Sequence, residues 1–311
     1  MNKNDQTVIV ITGPTASGKS ETAMQVARAI RGEVVSADSM QIYRGLDIGT
    51  AKPSLTERME IPHHLIDILD LDQTFNVAEY YRLAVDTIRD IHSRNQRAIV
   101  CGGTGQYLSA LMDGLTFSPV PADPQLRQTL NEKADQIGLD QMWAELNAVD
   151  PIAAQWISPG DRKRMIRALE VNAVTGQPIS YHVQQSKRFA PEFSFAAFCL
   201  THDRPDLYDR INKRVYQMID QGLLDEVKML LEHNLPKGST CLQAIGYKEL
   251  IGYLEEREEL TQAIQRLQQA TRRYAKRQLT WFRKMDSLIW IANQTPQEAC
   301  ETILRAAGIN G

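Results

Sequence analysis

Eight consecutive residues, Gly13, Pro14, Thr15, Ala16, Ser17, Gly18, Lys19 and Ser20, fit the pattern G-x-x-x-x-G-K-[ST]. Glycines at that spacing let backbone N–H groups curl around a polyphosphate at a helix N-terminus, where unpaired amides and the helix dipole both favour negative charge. Lys19 would reach the terminal phosphates, and the Ser20 hydroxyl would hold Mg²⁺. A second polar group follows in Asp38-Ser39-Met40-Gln41, and a third in Gly102-Gly103-Thr104-Gly105. Asp38, at a strand end beside the loop, is a candidate general base or metal partner. Thr104 taken alone reads equally as an ordinary turn hydroxyl. The loop pattern leaves open which phosphate compound binds and what is done with it.

A phosphate loop needs a strand before it and a helix after it. Val8-Ile9-Val10-Ile11 and residues 21–30 supply them. Short β-branched runs at 8–12, 33–37, 65–69 and 98–101 alternate with helical stretches over the first hundred residues, which implies a parallel sheet covered by helices. Residues 76–94 carry an Asn cap and apolar residues at helical spacing. Past Met112 the texture changes. Pro119, Pro121 and Pro124 punctuate a turn, and the stretch to Gln185 reads almost wholly as helix. A returning strand at 195–200, helices over 205–232 and 260–284, and a last strand at 287–291 complete the reading. The expected fold is therefore α/β, a P-loop NTPase-like core of residues 1–112 and 193–311 with an all-helical insertion at 113–192.

With 43% hydrophobic and 23% charged residues, the 311-residue chain has ample core, and disorder is excluded. No apolar stretch long enough to span a bilayer is present, and the short apolar run before the loop does not make a secretion signal, so a cytoplasmic protein is expected. Cys101, Cys199, Cys241 and Cys300 are scattered, which suggests buried thiols rather than disulfides or a zinc site. The net charge of −3 argues against a nucleic-acid partner on average but hides a local patch. Residues 260–285 contain no acid, and Arg266, Arg273, Arg277 and Lys284 recur there at helical spacing, while Arg162, Lys163, Arg164 and Arg167 form a second basic group. Ile264, Leu267, Tyr274 and Trp281 are expected to anchor the 260–284 helix in the core. From these residues alone a small-molecule P-loop kinase leads, although no strand ends in a Mg²⁺-holding Asp; a nucleotide-switched RNA-binding protein is a further possibility.

Taken together, the segments resemble the bacterial tRNA dimethylallyltransferases. The resemblance covers nearly the whole chain. It rests on the phosphate loop, Asp-Ser-Met-Gln-Ile-Tyr from Asp38, Gly-Thr-Ala-Lys-Pro from Gly49, Pro62-His63-His64-Leu65, Gly-Gly-Thr-Gly from Gly102, Arg167-Ala-Leu-Glu-Val, Ala244-Ile-Gly-Tyr-Lys-Glu and Lys276-Arg-Gln-Leu-Thr-Trp-Phe-Arg283. It implies transfer of a dimethylallyl group from dimethylallyl diphosphate to N6 of the adenosine 3′ of a tRNA anticodon, by a monomer away from membranes, with Mg²⁺. Carried over, it makes Asp38 the general base, Thr104 catalytic, and Gly13 to Ser20 the diphosphate cradle. Arg210 and Arg214, four apart on one helix, are candidates to close over the same phosphates. Against tRNA the resemblance sets Asp38, Ser39, Met40 and Gln41; Arg127; Lys163, Arg164, Met165, Ile166 and Arg167; Ala244, Ile245, Gly246 and Tyr247; and Lys276, Arg277, Gln278, Leu279, Thr280, Trp281, Phe282 and Arg283. Lys163 and Gln106 depart from the family pattern, which usually has Gln and Leu there.

Overall fold

A computed structural model describes residues 6–114, 123–186, 190–236 and 239–309. The chain divides into two compact units, Met1–Met112 with Glu192–Gly311, and Asp113–Pro191.

The first unit is built on β1 (Val8–Thr12), β2 (Gly32–Ser36), β3 (His63–His64), β4 (Arg97–Gly102), β5 (Phe195–Thr201) and β6 (Leu288–Ala292). Its order is β3-β2-β4-β1-β5-β6, parallel throughout. The central strands read as unbroken apolar runs because both faces are covered. Alternation sorts β1 accordingly: Val8 and Val10 join one core, Ile9 and Ile11 the other. Two helices cover the first core, α3 (Val77–Ser93) and α4 (Gly105–Met112); α1 (Lys19–Ile30) and α14 (Pro296–Ala306) cover the second. Asn76 caps α3 with a reciprocal bond between Glu79 and its backbone, as its position predicts. The short α2 (Leu55–Glu60) precedes β3. A third core lies under residues 38–53 and gathers α10 (Arg204–Asp220), α11 (Leu223–Glu232), α12 (Ile251–Leu254) and α13 (Leu260–Phe282).

One strand expectation fails. The ladder with β2 stops at His64, because Leu65 and Asp67 have φ of 60° and 55°, a left-handed backbone that cannot continue a strand. Leu69 regains only an isolated bridge to Tyr43. All four cysteines are free and buried.

The second unit is helical: α5 (Pro124–Ile137), α6 (Leu139–Val149), α7 (Pro151–Trp156), α8 (Arg162–Thr175) and α9 (Ile179–Ser186). Pro124 is the first residue of α5, behind an Asp123 cap. Pro119 and Pro121 lie outside the described residues. Met142, Leu146, Met165, Ile166 and Leu169 fill its core. Beside them the Glu170 carboxylate, wholly buried, receives Arg167, Arg127 and the Asp123 amide at 2.8, 3.0 and 2.8 Å. Burial alone would raise its pKa, but these donors hold it below the ordinary value.

Candidate active site

Parallel strands deliver their following loops to one edge of a sheet, where ligands collect. Here the loops after β1, β2 and β4 meet there. Thr12 ties the first to the third, its hydroxyl donating to Gly102 O at 2.8 Å. Close packing explains the glycines. A Cβ on Gly13 would lie 2.4 Å from Leu200 O, and one on Gly102 would lie 2.2 Å from Ala37 O. Gly18, at φ 88°, turns the chain into α1, so Lys19 and Ser20 occupy its first turn.

The Lys19 ammonium folds back over the loop, 3.4 Å from Pro14 O. Burial and the neighbouring Arg214 guanidinium lower its pKa, with Asp38 opposing them. Arg214 is lowered too, by burial, and Asp38 again opposes. Two half-buried cations thus lie within electrostatic reach of one carboxylate, a region short of negative charge that a diphosphate would fill. Arg214 lines the cavity; Arg210 is exposed and does not line it.

Asp38 accepts the amides of Met40 and Gln41 at 2.9 and 3.4 Å, both on Oδ1. Among the described residues no donor reaches Oδ2. Thr104 accepts the Ser39 amide at 3.0 Å while its own amide donates to Ala37 O at 3.1 Å. The Thr104 loop therefore clasps both sides of the turn that carries Asp38. A cavity of about 450 Å³ opens over these groups, lined by Thr15, Lys19, Ser20, Asp38, Arg214, Tyr274 and Arg277, with Met24, Ile66, Met218 and Ile245 supplying apolar wall. Burial first, and then Asp38, raise the Tyr274 pKa above its ordinary value.

The resemblance set Gln278 against tRNA, but its side chain is buried inside the site. Its Oε1 accepts Thr15 N and its Nε2 donates to Gly103 O, both at 2.9 Å. One amide thus joins the phosphate loop to the Thr104 loop from α13. A lone Gln on a basic helix carries no sequence signal for that role. Five other residues of that set belong to cores: Met165 and Ile166 to that of the helical unit, Ala244, Tyr247 and Phe282 to cores of the first unit. Helical spacing within each segment accounts for Met165, Ile166 and Phe282, since neighbours of an exposed basic residue fall on the opposite face. Arg127 and Arg167 both pair with Glu170. Lys163 and Arg164 are exposed on the first turn of α8, and Ser39, Met40, Gln41, Ala244, Ile245 and Gly246 line the cavity.

The basic stripe is shorter than its sequence suggests. Glu258, two residues before α13, holds Arg266 with both carboxylate oxygens. Lys276, Arg277, Arg283 and Lys284 stay exposed. Trp281 and Tyr274, expected in the core, also differ: Trp281 is 39% exposed, lies over Gly105 and donates to Ser109 at 3.0 Å, and Tyr274 lines the cavity under Arg277. Gln106 is exposed on α4, so the departure there carries no packing cost.

The IPP transferase family model matches residues 41–285. A tRNA dimethylallyltransferase of Acetivibrio thermocellus is 44% identical over 298 residues, 96% of this chain and 95% of that protein. The crystal structure of a full-length tRNA isopentenylpyrophosphate transferase from Bacillus halodurans superposes with a TM-score of 0.71 at 38% identity, covering 98% of this chain and 96% of the other. A eukaryotic dimethylallyltransferase crystallised while acting on tRNA gives 0.77 at 30% identity, over 92% and 73%. The chain belongs to the IPP transferase family.

Proposed function

We propose that this protein transfers the dimethylallyl group of dimethylallyl diphosphate to N6 of the adenosine 3′ of a tRNA anticodon, releasing diphosphate. The observation that carries the reading is the meeting, in one cavity, of a cationic phosphate loop and a carboxylate held by one oxygen only. An adenine N6 amine is a poor nucleophile because its lone pair is delocalised, so a proton must leave as the C–N bond forms. Asp38 Oδ2 is free to accept it. Thr104 keeps that carboxylate in place. Charge growing on the departing diphosphate falls on the loop amides, Lys19 and Arg214.

The residues present fit Mg²⁺. Among the described residues no three His, Cys, Asp or Glu side chains are grouped to hold a metal, but Mg²⁺ is commonly carried by one or two protein oxygens and the substrate's own phosphates. Ser20 is exposed at the loop and would supply such an oxygen. Bound there, the ion would neutralise leaving-group charge.

The adenine must leave its stack in the anticodon loop before it enters the cavity, at a cost of a few kcal/mol. Lys276, Arg277 and Arg283 on one unit and Lys163 and Arg164 on the other offer phosphate contacts to offset it. No helix among the described residues is long and apolar enough to cross a membrane, and a cytoplasmic monomer is the setting proposed. Nothing in the comparisons favours the kinase reading. Protein mixed with tRNA and radiolabelled dimethylallyl diphosphate, without ATP, should label the RNA; label appearing only with ATP, or never, would refute the proposal.

A further inference from the structure

Glu226 lies on α11, outside every motif that marks the site, and is the most heavily bonded carboxylate beside the cavity. Its Oε2 accepts the amides of Asp47 and Ile48 at 2.9 and 2.8 Å. Its Oε1 accepts the amide of Gly49 at 2.9 Å and the hydroxyl of Tyr247 at 2.7 Å. Four donors thus converge on two oxygens. Tyr247 is fully buried, and a Cβ on Gly49 would sit 2.7 Å from its ring, so the loop and the aromatic are in contact as well. The next residues, Thr50 and Ala51, present their carbonyls to Gln41 Nε2 at 3.2 and 3.3 Å. The Gln41 backbone amide donates to Asp38 Oδ1 at 3.4 Å, and its side-chain oxygen accepts the Ser36 hydroxyl at 3.1 Å. A continuous set of bonds therefore runs from Glu226 through residues 47–51 and Gln41 to the turn that carries Asp38.

We propose that Glu226 is a positioning residue: it fixes the 47–51 loop, whose Gly49, Thr50 and Ala51 line the cavity, and, through Gln41, sets where the Asp38 carboxylate points. A carboxylate is required because all four partners are donors. The amide of Gln has one accepting oxygen, so Glu226→Gln would leave two donors facing an NH₂ group. The proposal rests on the reading of Asp38 as the base. Misplacing a reacting group by a fraction of an ångström to an ångström costs turnover more than ground-state binding.

The test is a double-mutant cycle in the full-length protein, with dimethylallyl diphosphate and an anticodon stem-loop. Glu226→Gln should lower kcat about tenfold or more while calorimetry finds donor affinity within about twofold of wild type. In an Asp38→Ala background the same substitution should cost less than about twofold, because the group it positions is gone. Gly49→Ala, which drives the loop off Tyr247, should reproduce both results and serves where Glu226→Gln folds poorly. Near-normal kcat in Asp38→Ala would overturn the reading of Asp38 and this proposal together. A large Asp38 effect with additive losses, or with Glu226→Gln at wild-type turnover, or with donor affinity falling in step with kcat, would overturn the role of Glu226 alone.

Discussion

Gln278→Met isolates the bridge between the phosphate loop and the Thr104 loop. Methionine nearly matches glutamine in length and fills the same space, so packing changes little. What is lost is one acceptor for Thr15 N and one donor for Gly103 O. The Gly103 carbonyl, bonded in the interior, costs about 1–3 kcal/mol when left unpaired, and the Thr15 amide, part-buried beside the cavity, adds less, so the loss is at least about 1 kcal/mol if the loops stay where they are. At about 2–4 °C per kcal/mol for a chain of this order of size, the melting temperature should fall by at least about 2 °C. If instead the loops part to reach water, the loss moves to the ligand, and each 1.4 kcal/mol weakens donor affinity about tenfold. Thermal melts and calorimetric titration with dimethylallyl diphosphate read the two routes separately. A variant that melts with wild type and binds the donor with wild-type affinity would refute the bridging role.

Lys19→Ala should weaken dimethylallyl diphosphate binding and slow transfer; unchanged affinity by calorimetry would mean that the loop does not hold this donor. Neutralising Lys276, Arg277 and Arg283 together should weaken binding of an anticodon stem-loop and make its salt dependence shallower by about one unit of slope per lost phosphate contact, and an unchanged slope would return these residues to an ordinary solvated face. Glu33, buried at the foot of β2, accepts Arg94 and His64, at 2.9 and 2.7 Å to the same oxygen. The Arg94 bond first, and then His64, depress its pKa against the effect of burial. Its contribution to stability is therefore present above the unfolded carboxylate value of about 4.3 and is lost as pH falls through the lower folded value. Denaturant titrations from pH 7 down to about pH 3 should show a shallower acid loss in Glu33→Gln than in wild type, and parallel curves would contradict the assignment.

The sheet and the phosphate loop were legible because both depend on local pattern. Val8 to Ile11 is apolar on both faces, and Gly13 and Gly18 sit where backbone geometry admits no side chain or a left-handed turn. Residues 65–69 misled because apolar composition does not reveal that Leu65 and Asp67 turn left-handed. The basic stripe is shorter than its periodicity implies for a different reason: Glu258 lies outside the helix that carries the repeat, yet it folds onto Arg266. Gln278 and Glu226 were out of reach, since the backbone partners of Gln278 are 175 and 263 residues away, those of Glu226 are 177 to 179 residues away, and neither residue type announces a backbone ligand.

The central claim is that the cavity joins an allyl diphosphate to an adenine amine with Asp38 as the base. Its most direct measurement is nucleoside analysis of tRNA incubated with the protein, Mg²⁺ and dimethylallyl diphosphate, alongside Asp38→Ala. Wild type should yield N6-dimethylallyladenosine at the position 3′ of the anticodon, with one diphosphate released per base modified, and Asp38→Ala should lower the rate by about two orders of magnitude or more with tRNA affinity little changed. Modification at another base, diphosphate release without an RNA product, or near-normal turnover in the variant would contradict it.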